Sequence, residues 1–166
     1  MTKSVTVREA RLDDAHGFVR AYEAAWDASL APIVGKPLGE LASFEARVAS
    51  FQAAVEQFSA NAKGWVAERD DEVVGVAVYA RESETTGELR ALYVAPDAWG
   101  TGAAQALLGA ALDAMRENGL EEALLWVGEA NARARRFYER EGWSVDGAGR
   151  QSTLGPVEVR YRRTLS

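Results

Sequence analysis

Apolar and polar positions along this chain change period several times, and each change marks an element. A β-branched run, Ser4 to Arg8, reads as a short strand. Asp13 is placed to cap a helix behind it, where Phe18, Val19, Tyr22 and Trp26 recur at helical spacing. Residues 30–40 hold two prolines and two glycines and read as a loop. Leu41, Phe44, Val48, Phe51, Val55 and Phe58 then form one stripe of a second helix. "GWVAER" and "EVVGVAVYAR" read as two strands joined by a hairpin at Asp70-Asp71, and "GELRALYV" as the next strand. From Ala103 to Asn118 the residues Ala104, Leu107, Leu108, Ala111, Leu112 and Met115 keep i, i+3, i+4 spacing, and Gly119 is set to end that helix. "ALLWV" is a buried-type strand, a helix runs from an Asn131 cap to Gly142, and "WSV" and "VEVRYRR" close the chain as strands.

The order is β-α-α-β-β-β-α-β-α-β-β. With no internal repeat, low-complexity stretch or linker, it predicts a single mixed α/β domain over residues 1–166. A hydrophobic content of 48% in 166 residues is enough for a core without staples. The absence of cysteine excludes disulfides, thiolate metal sites and a cysteine nucleophile. No basic leader with a long apolar segment opens the sequence, so a cytoplasmic protein with no membrane partner is the expectation. A net charge of -6 argues against broad nucleic-acid binding, which needs a dense basic face, and is compatible with a cationic substrate.

The stretch "LYVAPDAWGTGAAQALL", Leu92 to Leu108, passes from strand through Gly100 and Gly102 into a helix. A helix N-terminus carries unpaired N–H groups and the positive end of the helix dipole. Glycines before it let an anion approach the backbone, although the same pair also makes an ordinary tight turn. A P-loop would have Lys-Ser/Thr after the second glycine, where Ala103-Ala104 stand. A dinucleotide fold would have a third glycine at Gln105 and an acid after the next strand, where Val127 and Gly128 stand.

The junction resembles the cofactor signature of the GNAT superfamily of N-acetyltransferases, Arg/Gln-x-x-Gly-x-Gly/Ala. "NARARRFYEREGW" is similar to the family's second signature, Asn-x-x-Ala-x-x-Phe/Leu-Tyr followed by Gly-Phe/Trp. The resemblance covers nearly the whole chain. It implies a mixed, mostly antiparallel central sheet of about seven strands flanked by about four helices. It also implies acetyl-CoA as co-substrate and no metal. Its pyrophosphate would lie on the amides of Gly100, Thr101, Gly102, Ala103, Ala104 and Gln105. Its pantetheine arm would pair like an extra strand with Leu92, Tyr93 and Val94, with a further contact from Asn131. Trp99 departs from the pattern, standing where the family usually has Arg or Gln.

Asn131 and Tyr138 are seven residues apart and share a helix face, about 10 Å from one another along the axis. The resemblance makes Tyr138 the candidate acid for the departing thiolate. A tyrosine with an ordinary pKa of about 10 is protonated at neutral pH and can donate. Read without the glycine junction, Tyr138 is a core aromatic before a helix stop. Glu88 matches the position of a base in the histone-acetylating branch of the family. An unbroken two-residue period puts it on one face with Leu92 and Val94. It is otherwise a solvated strand-end carboxylate, with Glu129 or a water relay as the alternatives. Arg133, Arg136 and Arg140 read as a solvated stripe on the opposite side of that helix, Arg135 as a candidate phosphate contact, and His16 as a surface residue.

The acceptor surface is expected from the first two helices, with Trp26, Phe44 and the loop 27–40 as candidates. The partner is then a small-molecule or peptide amine, with monomer and homodimer both open. A silent acyl-CoA-binding sensor and a dinucleotide-binding module are the competing readings.

Overall fold

The computed structural model describes residues 4–153 and 155–166. Its seven strands are β1 (Thr6–Glu9), β2 (Ala62–Arg69), β3 (Glu72–Arg81), β4 (Thr86–Val94), β5 (Glu122–Gly128), β6 (Ser144–Gln151) and β7 (Val157–Thr164). They form one sheet in the order β1-β2-β3-β4-β5-β7-β6. Only β4 and β5 run parallel. Four longer helices flank the sheet: α1 (Ala15–Ser29), α4 (Phe44–Glu56), α5 (Ala103–Glu117) and α6 (Ala132–Arg140). The predicted loop 30–40 contains two one-turn helices, α2 (Ala31–Val34) and α3 (Leu38–Leu41). Pro32 at the start of α2 is compatible with a helix because a first-turn N–H is unpaired anyway. No helix among the described residues is long and apolar enough to cross a membrane.

Each face of the sheet carries its own core. On one face the stripe Leu107, Leu108, Ala111, Leu112 and Met115 of α5 packs on Ala67, Ala77, Tyr79 and Leu89. On the other, α1 and α4 cover Val66 and Val76, with Phe18 and Phe51 stacked at 4.0 Å between centroids. The hairpin at Asp70-Asp71 has φ of 57° and 63°, the pair of positive values that a two-residue turn between twisted strands requires.

Three local expectations change. The residue that closes the entry to α1 is Asp14 rather than Asp13: it accepts the Arg11 N–H at 2.7 Å and both Nη groups of Arg8 at 2.8 Å. Arg8 projects from β1 toward Asp14, while Asp13 points to solvent. Ser43 caps α4 by accepting the Ala46 N–H, so Leu41 belongs to α3 and Phe58 lies beyond the helix. Finally, β6 runs beyond the predicted "WSV" to Gln151, because β7 pairs with it around a bulge between Val145 and Gly149.

The feature that positions the site is a second bulge. Tyr79 of β3 lies opposite Leu89, but Val78 lies opposite Ala91, which leaves Arg90 as an extra residue in β4. A bulge bends its strand and increases local twist. The parallel pairing of β4 with β5 runs from Thr86 opposite Glu122 to Leu89 opposite Leu125 and stops there. Beyond it the two strands part, and the β4 edge from Arg90 to Val94 has no strand partner on that side.

Candidate active site

Two clefts meet at the opening between β4 and β5, and helix α1 contributes residues to both. One, of about 400 Å³, is walled by Val94, Trp99 and Ala104 against Arg133, Phe137 and Arg140. The other, of about 230 Å³, is walled by Tyr22, Trp26, Trp126, Arg150 and Glu158. Leu92, Tyr93, Asn131, Ala134 and Tyr138 line both. These five residues form the throat where the two clefts meet.

Tyr138 comes from the last turn of α6, packed edge-on to Trp143 at 5.9 Å and to Phe137 at 5.3 Å between centroids. It is only 7% exposed. Its hydroxyl has no hydrogen-bond partner among the described residues. Burial pushes its pKa well above the ordinary tyrosine value, because the phenolate would be poorly solvated. Asn131 caps α6, its Oδ1 accepting the Ala134 N–H at 3.2 Å, which leaves its amide NH₂ as a donor in the throat. Tyr22 and Tyr93 face each other at 4.3 Å, and burial raises the pKa of both hydroxyls.

The glycine junction adjoins the larger cleft. Gly100 and Gly102 have φ of 79° and 86°, in the left-handed region, and Gly102 is the N-terminal flanking residue of α5. Gly102 has no side chain to cap the helix, Thr101 Oγ1 accepts the Ala103 N–H at 3.4 Å, and no acid lies in the first turn. Of the junction residues, Ala104 lines the cleft; Gly100, Thr101, Gly102 and Gln105 turn the backbone beside it, and Ala103 is buried in the core.

Trp99 has a definite place. Its indole N–H donates to the Val94 carbonyl at 2.8 Å, fastening the end of β4 to the junction. The Arg133 guanidinium stacks on its ring at 3.4 Å. A cation therefore stands beside the junction although position 99 is not basic.

Arg133, Arg136 and Arg140, expected as a solvated stripe, line the larger cleft. Burial, then repulsion from Arg136 and Arg140, lowers the pKa of Arg133. Among the described residues none of the three has an acidic partner. All three are exposed, as a solvated stripe would be, and they share the cleft wall with Asn131, Ala134 and Tyr138. Arg135 instead donates to Tyr161 Oη at 2.9 Å and to the Glu129 carbonyl at 3.0 Å, which points it away from the cleft.

Glu88 does not share a face with Leu92 and Val94. The extra residue Arg90 shifts the alternation, so Glu88, opposite Ala80, lies on the Tyr93 face. It is ion-paired to Arg90 at 3.2 Å and lines neither cleft. Glu129 is exposed at the end of β5 and lines neither cleft. Of the acceptor candidates, Trp26 and Leu30 line the smaller cleft, whereas Phe44 packs near His16 and Arg47 on α4.

Residues absent from the sequence reading come chiefly from the C-terminal hairpin. Arg150 of β6 pairs with Glu158 of β7 at 2.8 Å, and its guanidinium sits 4.2 Å from the Trp126 ring centroid. The alternation of "VEVRYRR" already put Glu158, Arg160 and Arg162 on one face. Which face borders the throat depends on β7 lying next to β5.

A model of the acetyltransferase (GNAT) family matches residues 18–143. An uncharacterised N-acetyltransferase of Mycobacterium tuberculosis is 37% identical over 81 residues, 49% of this chain and 52% of that protein. This chain thus spans about half the length of the mycobacterial relative. A mycothiol acetyltransferase of Thermobispora bispora is 37% identical over 105 residues, 60% of this chain and 32% of that protein. In three dimensions the chain superposes on the PaiA N-acetyltransferase of Thermoplasma acidophilum, crystallised with coenzyme A. The TM-score is 0.78 over 97% of this chain and 99% of that one, at 18% identity.

Proposed function

The chain belongs to the GNAT family of acetyltransferases, and from that premise we propose that it moves an acetyl group from acetyl-CoA to a primary amine. The transfer is direct, within a ternary complex. The observation that carries this reading is the shared throat: two clefts meet at one opening and have Tyr138 in common.

The residues present fit acetyl-CoA in the larger cleft. Two left-handed glycines before a helix with no acid in its first turn suit a pyrophosphate. Three arginines without acidic partners suit anionic phosphates in a chain of net charge -6. The unpartnered edge at Leu92, Tyr93 and Val94, with the Asn131 amide opposite, suits an arm built of amides. Bound there, acetyl-CoA supplies an activated acyl group on a good leaving thiol.

The amine enters from the smaller cleft, loses its ammonium proton and attacks the carbonyl carbon. As the C–S bond breaks, Tyr138 donates its proton to the thiolate sulfur. Its raised pKa keeps the hydroxyl protonated across the neutral and mildly alkaline range. Glu88 is the proposed proton acceptor and works through water. Five residues of strand, at most about 17 Å, separate it from Tyr93 in the throat.

The test is an acceptor screen following free thiol from acetyl-CoA, then initial rates with both substrates varied. A ternary complex gives intersecting double-reciprocal lines; parallel lines would overturn direct transfer. Tight CoA binding without turnover on any amine would leave an acyl-CoA-binding domain.

A further inference from the structure

The smaller cleft is lined by two arginines, Arg90 and Arg150, and one carboxylate, Glu158. Each arginine is half of an ion pair of one design. Arg90 Nε meets Glu88 at 3.2 Å, with side chains 55% and 15% exposed. Arg150 Nε meets Glu158 at 2.8 Å, with side chains 48% and 18% exposed. In both, the carboxylate lies inward and the guanidinium lies at the mouth. Each guanidinium uses Nε for its partner, and its two Nη groups have no hydrogen-bond partner among the described residues. Trp126 holds the Arg150 plane at 4.2 Å and keeps that fork in the cleft wall.

A pair of free Nη groups is a planar fork matched to a carboxylate, which it binds with two parallel hydrogen bonds. Glu158 lies deeper and also acts on the Tyr22 and Tyr93 hydroxyls through its charge. It is placed to meet an ammonium group entering toward Tyr138. The lining charge is therefore positive at the rim and negative within. The cleft, about 230 Å³, is smaller than the roughly 300–1,000 Å³ of pockets for drug-sized ligands.

We propose that the acceptor is a small primary amine that carries a carboxylate, of amino-acid size. Its carboxylate sits on the Nη fork of Arg150, with Arg90 adding charge, and its amine lies beside Glu158. This rests on the transferase reading above. It disfavours polycationic acceptors such as polyamines and aminoglycosides, which would meet two arginines at the entrance.

The experiment compares free L-amino acids with their own carboxamides, with spermidine and kanamycin alongside, by thiol release from acetyl-CoA. At least one amino acid should exceed its carboxamide tenfold or more in kcat/KM. In Arg150→Gln that ratio should fall toward one, through a higher KM for the amino acid with kcat changed less than threefold. Arg150→Lys should recover part of the ratio, since charge returns without the fork. A variant whose loss appeared equally with both acceptors, in kcat, would mark Arg150 as a structural residue and overturn its role. Normal turnover with spermidine, kanamycin or carboxamides as preferred acceptors overturns this inference and leaves the transferase reading standing. No thiol release with any amine overturns both.

Discussion

In the proposed mechanism the chemistry turns on Tyr138, and its surroundings decide what it can do. Apolar burial makes the phenolate costly, so the hydroxyl is a donor and not a base. Tyr138→Phe keeps the ring and its contacts to Trp143 and Phe137. We expect kcat to fall about 10²-fold or more with CoA affinity nearly unchanged, measured by steady-state rates and calorimetry. Because the folded pKa lies above the ordinary value of about 10, the wild-type kcat should show no alkaline limb between pH 7 and 10. A limb in that range, still present in Tyr138→Phe, would identify another acid.

At the scale of elements, the end of β4, the glycine turn into α5 and helix α6 wall the larger cleft, the proposed cofactor side. Trp99 joins all three, donating to Val94 of β4 while its ring carries Arg133 of α6. The turn depends on Gly102 at φ 86°, a conformation in which a β-branched side chain is strained. An added Cβ there meets no atom within 4 Å, so the penalty is in the backbone and not in packing. Gly102→Val should therefore reorient the first amides of α5 and weaken CoA binding at least tenfold. Calorimetry on variant protein with a native circular-dichroism spectrum checks it. Unchanged affinity would move the phosphate site to the α6 arginines alone.

For the whole molecule, the ion cluster of Arg8, Asp14 and Glu68 ties β1, the entry to α1 and β2 together. Asp14 is 8% exposed, and the hydrogen bond from Arg8 holds its carboxyl below the ordinary range. A folded pKa below the unfolded value of about 3.9 means the stabilisation is complete above that pH and is lost as pH falls through the folded value. Asp14→Asn should cost about 1–3 kcal/mol at pH 7. The difference from wild type should shrink as the pH approaches 3, in chemical unfolding followed across pH. A constant difference would show that the charge of Asp14 is not what stabilises this corner.

Much of this arrangement was legible in the residues themselves. Periodicity located the seven strands and four longer helices because burial on one face imposes a period of 2 or 3.6 wherever the core is thick. The glycine junction and the Asn131–Tyr138 spacing were readable for a similar reason: a left-handed turn and a shared helix face are local geometry. What remained hidden depended on contacts between distant segments. The bulge at Arg90 arises only when β4 is laid against β3, and that one residue moves Glu88 to the other face and parts β4 from β5. Arg133, Arg136 and Arg140 gain a common cleft only when α6 is set against the end of β4. Arg150 and Glu158 reach the throat only because β7 inserts between β5 and β6. Local sequence determined which backbone turns left-handed before a helix and which tyrosine shares a helix face with Asn131. Tertiary pairing decided which charges meet the acceptor, since a side chain's face and neighbours are properties of the assembled sheet.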